Sequence, residues 1–263
     1  MVRFVADLPQ HARVVVIGGG VVGCSVLYHL ARAGWTDCLL LERNELTSGS
    51  TWHAAGNCPN FSGSWSIMRL QRYSTTLYAR LGEEVGYPIN YHVTGAIRLA
   101  QSDARMEEFE HVTEMARHQG IEFEMLGANE IKARYPFIEL HNLKGGQWDP
   151  LDGDIDPAQL TQALAAGARA RGARIERFCA VTSIAEKANG EWLVTTPKGA
   201  VTAEYVVNAA GYRAAEIGAI VGRDVPCVAM SHQYLLTAQI PALAERREKL
   251  PILRDPDDSY YLR

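Results

Sequence analysis

Hydrophobic and polar positions change period several times along the chain, and each change marks an element. Residues 13–17 form a short β-branched run that leads into Gly18-Gly19-Gly20-Val21-Val22-Gly23 and then an apolar stretch at helical spacing, ending near Gly34. A second apolar run, Cys38–Leu41, follows and ends on Glu42. This order predicts strand, glycine turn, helix and strand, a β-α-β unit of about 30 residues that opens a parallel sheet.

After a loop rich in Gly, Ser, Thr and Asn, residues 64–85 place Ile67, Leu70, Leu77 and Leu81 on one helical face, which predicts a long amphipathic helix with that face buried. Gly86 and Pro88 close it. A strand at 95–100, a helix at 103–118, a strand at 122–125 and a short helix before Pro136 come next, an alternation that predicts a second domain inserted into the first. Asp156 and Pro157 suit the cap and first position of a helix running to about Arg171.

Residues 173–203 read as a β-meander turned at Asn189-Gly190 and Lys198-Gly199. A separate buried strand at 205–209 then returns to the first sheet and leads through Ala210-Gly211 into a helix ending near Val221. Strands are predicted at 228–237 and 259–263, with a charged stretch at 245–249 between them, and the sequence stops as though further strands followed.

The 263 residues suffice for one large domain or two interlocked ones, and 47% hydrophobic with 21% charged residues is ordinary for a folded globular chain. A net charge of -4 leaves no basic surplus for phosphate backbones, so nucleic acid is not an expected partner. No run approaches the ~20 apolar residues of a membrane span, and the first twelve residues lack a signal-peptide layout, which makes the expected location cytoplasmic. Cys24, Cys38, Cys58, Cys179 and Cys227 have neither disulfide-framework nor zinc spacing, and no metal site is expected.

The chemistry begins at the glycines. Gly18 permits a tight turn, Gly20 lets a pyrophosphate approach the backbone, and Gly23 lets the helix pack closely on the strand, while the helix start supplies N–H donors. Glu42, 19 residues past Gly23, suits the ribose hydroxyls, and Arg43 beside it is grouped with the cofactor-binding residues. Up to this point NAD and FAD are served equally, and a glycine turn with a solvated Glu42 in some other α/β protein remains the bland alternative.

The segment Thr47-Ser48-Gly49-Ser50-Thr51-Trp52-His53-Ala54-Ala55-Gly56 separates the two cofactors, because it resembles the dimethylglycine and sarcosine dehydrogenases of the D-amino-acid-oxidase-like flavoproteins. Similar stretches are Gly153-Asp154-Ile155-Asp156-Pro157, Val207-Asn208-Ala209-Ala210-Gly211, His232-Gln233-Tyr234 and Ser259-Tyr260-Tyr261-Leu262-Arg263, so the resemblance spans nearly the whole chain. It implies an α/β fold: a Rossmann-like FAD-binding domain with a parallel sheet and β-meander (1–85 and 151–222), interleaved with an α+β substrate domain (86–150 and 223–263) that is incomplete at its C-terminal end. The resemblance also places His53 where relatives join a histidine covalently to the flavin 8α-methyl, and Gly211 where the chain passes near the cofactor. A loop histidine bonded to backbone, and a plain helix-start glycine, are the alternatives.

His53 lies eleven positions beyond Glu42, enough at roughly 3.3–3.6 Å each to reach from ribose to flavin ring, with Ser48, Ser50 and Thr51 able to face the pyrophosphate on the way. On a strand, His232 and Tyr234 would share one face over the flavin, and Tyr260 is expected to join them, unless these side chains are core or rim packing. Arg69 or Arg72 could pair a substrate carboxylate, or be solvated helix charges. With no hydrolase, zinc-protease or P-loop motif, the expected function is FAD-dependent oxidative N-demethylation of an amine such as dimethylglycine or sarcosine. Its electron acceptor is unknown, and tetrahydrofolate is expected only with a longer form. The rivals are oxidation of another amino acid or alcohol, a non-catalytic flavin-binding chain, and an NAD-dependent dehydrogenase.

Overall fold

The computed structural model describes residues 8–263, so most of the N-terminal stretch judged to lack a signal peptide lies outside the described residues. In chain order the elements are β1 (His11–Ile17), α1 (Val21–Arg32), β2 (Cys38–Leu41), β3 (Asn57–Cys58), α2 (Trp65–Val85), β4 (Tyr91–His92), β5 (Ala96–Ala100) and α3 (Asp103–Arg117). Next come β6 (Glu124–Leu126), α4 (Ala128–Arg134), β7 (Gly145–Asp149), β8 (Gly153–Ile155), α5 (Pro157–Ala170), β9 (Arg174–Glu176), β10 (Ser183–Glu186) and β11 (Trp192–Thr196). The chain closes with β12 (Gly199–Asn208), a 3-10 turn at Gly211–Arg213, α6 (Ala214–Ile220), α7 (Pro241–Ala244), β13 (Ile252–Asp255) and β14 (Tyr260–Leu262).

These elements form two compact units that alternate along the chain. The first comprises the described residues up to Ala54, Leu81–Ile89 and Pro157–Gln233; the second comprises Ala55–Arg80, Asn90–Asp156 and Tyr234–Arg263.

The first unit is built on a six-stranded sheet in the order β10-β11-β12-β1-β2-β9. Its parallel heart is β12-β1-β2-β9, and the apolar runs of β1 and β2 are buried on both sides, as parallel strands covered by two layers must be. On one face α1 packs against α5, each supplying a buried stripe (Cys24, Leu27, Tyr28, Ala31 and Leu160, Ala163, Leu164, Ala168). On the other face Val15, Ile17, Leu39, Leu41, Val194 and Val201 form a core against which Ile217 and Ile220 of α6 pack. The expected meander is β10-β11-β12, but the separate strand at 205–209 does not exist. β12 is one ten-residue strand whose first half pairs antiparallel with β11 and whose second half pairs parallel with β1, so a single strand serves two ladders.

The second unit contains a five-stranded sheet, β14-β13-β5-β7-β6, and a small sheet, β3-β8-β4. Ile97, Leu99 and Leu253 on one face pack with Ile131 of α4 and with Tyr135 and Ile138 beyond it. Met68, Val112, Ala116, Ile121 and Phe123 form a separate cluster.

Two expectations are corrected here. Leu77 and Leu81 of α2 are buried as expected, but Ile67 and Leu70 on the same face are 48% and 60% exposed, while Met68 and Thr75 are buried instead. The reason is that the first half of α2 turns its other face inward, with Met68 packed among Val112, Ala116 and Ile121 and the Thr75 hydroxyl bonded to Asn60. The strand expected at 228–237 is absent: the segment has no ladder with any described strand, and its apolar side chains Val228, Met230, Leu235 and Leu236 are more than 80% exposed. Apolar alternation alone does not make a strand, because its backbone N–H and C=O groups need a paired edge.

Candidate functional site

The glycine turn joins β1 to α1 at the carboxyl end of the parallel strands, where open α/β sheets hold their ligands. Gly18 has φ +114, and a Cβ there would lie 2.4 Å from the Ala209 carbonyl oxygen. Gly23 is more tightly constrained, since its Cβ would lie 1.9 Å from the carbonyl oxygen of Gly18. Both positions therefore require the absence of a side chain for helix, turn and the end of β12 to close on one another. Backbone hydrogen bonds fix the closure: Gly18 N–H donates to Leu41 O at 2.9 Å and Ala209 N–H to Ile17 O at 2.9 Å.

At the start of α1, Gly20 caps without a side chain and the first turn carries no acidic residue. A Cβ on Gly20 would meet only the Thr51 hydroxyl, at 3.1 Å. That hydroxyl accepts the Val21 N–H at 3.0 Å. A side-chain-free helix start with further N–H donors, no competing carboxylate in its first turn and a hydroxyl alongside fits an anionic pyrophosphate.

Glu42 is 9% exposed, and its carboxylate accepts the Gly19 N–H at 2.6 Å and the Asn44 N–H at 2.7 Å. The residue expected only to meet ribose thus also buttresses the glycine turn, and its remaining lone pairs are what a hydroxyl could use.

The loop after β2 folds back onto this turn. Thr47 takes φ +71, an uncommon conformation for a β-branched residue, and its N–H donates to Gly19 O at 3.0 Å. Thr51 is buried, whereas Ser48, Ser50, Trp52 and His53 are exposed, with the Trp52 and His53 rings 3.8 Å apart between centroids. Arg43 is exposed at the end of β2. Gly211, φ +61, opens the 3-10 turn, and the next residue, Tyr212, extends its ring over Gly49, 3.6 Å from where a Cβ would stand. Gly18, Gly20, Gly23, Glu42 and Thr51 therefore meet at one turn, and His53 lies on the loop bonded to it, within the same unit.

The sequence reading missed Ala209, which walls the turn, and Asn208, whose side chain accepts the Ala210 N–H at 3.2 Å and donates to Ala214 O at 2.9 Å. Both stand in a stretch singled out for resemblance, but the signal of Ala209 is contact with Ile17 and Gly18 about 190 positions away, while that of Asn208 is a local side-chain bridge.

The expected trio of His232, Tyr234 and Tyr260 is not assembled by a strand. His232 and Tyr234 lie in the segment without a ladder, on opposite sides of the boundary between the two units; His232 is exposed with Nδ1 3.1 Å from Gln233 O, and Tyr234 is 64% exposed. Tyr260 sits on β14, its hydroxyl pushed up in pKa by burial and by the carboxylates of Asp255 and Asp258. The alternation argument that paired His232 with Tyr234 has no strand to rest on. Arg69 and Arg72 flank a cavity of about 320 Å³ in the second unit, together with Trp65, His118 and Gln119.

A buried polar network in the second unit was also missed. Arg98 donates to Asp152 at 2.7 Å, and the other Asp152 oxygen accepts from Asn60 N–H at 2.6 Å and from its side-chain amide at 3.1 Å. Thr75 donates to Asn60 Oδ1 at 2.9 Å, and the Arg98 guanidinium lies 4.6 Å over the Phe61 ring. Asp152 accepts from three donors in all, while burial and the adjacent Asp152 push the Asp149 carboxyl up to about 8.

Burial also raises the Cys24 thiol to about 12, which suits a core residue and not a nucleophile. Among the described residues no cluster of His, Cys, Asp or Glu could hold a metal ion, and no helix is long and apolar enough to cross a membrane.

Comparison with known proteins agrees with this geometry. The family model described as FAD dependent oxidoreductase matches residues 13–263. The chain is 42% identical to the mitochondrial dimethylglycine dehydrogenase of Mus musculus over 97% of its own length and 29% of that protein. It is 37% identical to the mitochondrial sarcosine dehydrogenase of Mus musculus, over 97% of this chain and 28% of the relative. The crystal structure of L-proline dehydrogenase from P. horikoshii superposes with a TM-score of 0.76 at 28% identity, covering 82% of this chain and 57% of that one. The chain thus spans less than a third of the curated relatives' length, and their mitochondrial names lend no support to a cytoplasmic location.

Proposed function

The chain belongs to the FAD-dependent oxidoreductase family, and from that premise we propose that it holds FAD and serves the oxidative N-demethylation of a secondary or tertiary N-methyl amino acid of the dimethylglycine or sarcosine kind. What carries the reading is the pair of bonds, Val21 N–H to the Thr51 hydroxyl and Thr47 N–H to Gly19 O, each 3.0 Å, that tie the phosphate-type turn to the loop bearing His53. One extended cofactor can then meet both.

When bound, the flavin supplies the acceptor for a hydride. The chain's own residues bind and orient. Backbone N–H groups at the start of α1 donate to the pyrophosphate, and Gly20 leaves room for it. Glu42 accepts from ribose hydroxyls while holding Gly19 in place. His53 carries the imidazole that would fix the ring covalently, and Gly211 lets the chain pass close by. His232, Tyr234 and Tyr260 are the proposed substrate contacts, on the strength of the family resemblance. Loss of hydride from the N-methyl carbon leaves an iminium ion, which water hydrolyses to formaldehyde and the shortened amine unless a folate acceptor takes the carbon.

Acid precipitation followed by mass measurement tests cofactor and tether together. The expected result is a yellow pellet whose protein is heavier by one FAD, with the increment lost in His53→Ala; a His53→Ala protein that keeps its flavin through denaturation removes His53 from the tether. Bleaching of the flavin absorbance by dimethylglycine or sarcosine without oxygen tests the substrate class. A flavin-binding chain without turnover would gain the mass and not bleach.

A further inference from the structure

The segment following β9 holds an aromatic side chain in a position its own packing does not explain. Phe178 is 63% exposed, and its backbone takes φ 52, a left-handed conformation that is strained for a bulky residue. Three backbone groups around it are nevertheless fixed. Phe178 N–H donates to Asn44 O at 3.2 Å, Cys179 N–H donates to Glu42 O at 2.8 Å, and the Lys198 ammonium donates to Arg177 O at 2.7 Å. Arg177 itself reaches Glu45 at 2.5 Å. The strain is therefore held in place by its surroundings, and what it achieves is to keep an apolar ring in solvent while Cys179 enters the core.

Glu42 lies between this segment and the glycine turn. Its side chain holds Gly19 on one side, and its main chain bonds Glu176 and Cys179 on the other. If the pyrophosphate is at the turn and the ribose at Glu42, the base continues past Glu42 over the carboxyl ends of β2 and β9, which is where Phe178 stands.

We propose that Phe178 forms one wall of an adenine site, stacking its ring on the base of the dinucleotide; this rests on the cofactor reading above. The left-handed backbone aims the ring outward before the ligand arrives, so no loop need be ordered on binding.

The test is flavin titration of the purified chain in a His53→Ala background, which keeps binding reversible. Phe178→Ala and Phe178→Gly should weaken FAD about tenfold, the scale of one lost base stack, and weaken ADP as a competitor by the same factor. Phe178→Trp should restore both. Because glycine accepts the left-handed backbone, Phe178→Gly should lose affinity with no fall in the melting temperature of the ligand-free protein, which separates stacking from a structural role. FAD affinity unchanged in both variants overturns the proposal, as does a loss for FAD with none for ADP. Absence of FAD from both the unmutated chain and its His53→Ala form would instead overturn the cofactor reading, and this inference with it.

Discussion

Gly23→Ala is the sharpest test of the cradle, because local propensity and tertiary packing predict opposite signs. Gly23 is in the first turn of α1, where alanine is favoured over glycine by about 1 kcal/mol, so a helix considered alone would be stabilised. The new methyl, however, would stand 1.9 Å from the Gly18 carbonyl oxygen, and real Cβ contacts do not fall below 3.0 Å, so the helix start must lift by at least the difference, 1.1 Å. The obstacle is backbone and cannot rotate away. Gly18 is held by its bond to Leu41, and Ala209, whose methyl is 3.4 Å from the new carbon, is held by its bond to Ile17. Lifting the helix also stretches the Val21 to Thr51 bond. Overpacking plus a weakened hydrogen bond gives a net destabilisation of about 2–4 kcal/mol, or about 5–15 °C in melting temperature for a chain of this length. A displacement of about 1 Å at the phosphate donors should weaken FAD about a hundredfold. Thermal unfolding with and without FAD, together with flavin titration, reads both effects. Gly63→Ala, where a Cβ meets nothing within 4 Å, is the control and should change stability by no more than about 0.5 kcal/mol. If Gly23→Ala melts with the parent and binds FAD as tightly, the turn is not built as described.

The polar network of the second unit yields two more predictions. Asp149 has a folded pKa raised from its ordinary 3.8 to about 8, so its contribution to stability is full below about pH 4 and is lost as pH rises through 8. Asp149→Asn, which can still donate to Asp152, should flatten the melting-temperature profile between pH 4 and 8, and an unchanged slope would show that Asp149 does not carry the proton. Arg98→Met leaves Asp152 buried without its cation and should cost about 3–5 kcal/mol in urea unfolding; a loss under 1 kcal/mol would mean that Asn60 alone satisfies Asp152.

What the sequence revealed and what it hid follow from where each residue finds its partners. The β1-turn-α1-β2 start was legible because its signals are local: a β-branched run, glycines at fixed offsets and an apolar helix. So was α5, which opens on Pro157 as expected. β7 and β8 were not legible, because Gln147, Asp149, Asp152 and Asp154 interrupt any apolar pattern although all four are buried. Their burial is made tolerable by residues far away in sequence, such as Arg98 and Asn60 for Asp152. β13 was hidden in the same way by Arg254 and Asp255. The opposite error occurred at 228–237, where alternation without a partner edge was read as a strand. At the candidate site the glycines and Glu42 were readable from spacing, and His53 only from resemblance. The roles of Thr51, Ala209 and Phe178 depend on the folded backbone.

β1 borders β2 on one side and β12 on the other, with Val15 opposite Val206. During synthesis, therefore, the strand that carries the glycine turn emerges long before its second neighbour exists. At roughly 5–20 residues per second the wait is about 10–40 s. Through that interval an aliphatic edge is open to strangers, and Ala209, the back wall of the turn, has yet to be made. A ribosome stalled before residue 209 would display a nascent chain whose cofactor cradle lacks its back wall, so a complete flavin site exists only once this sheet can close.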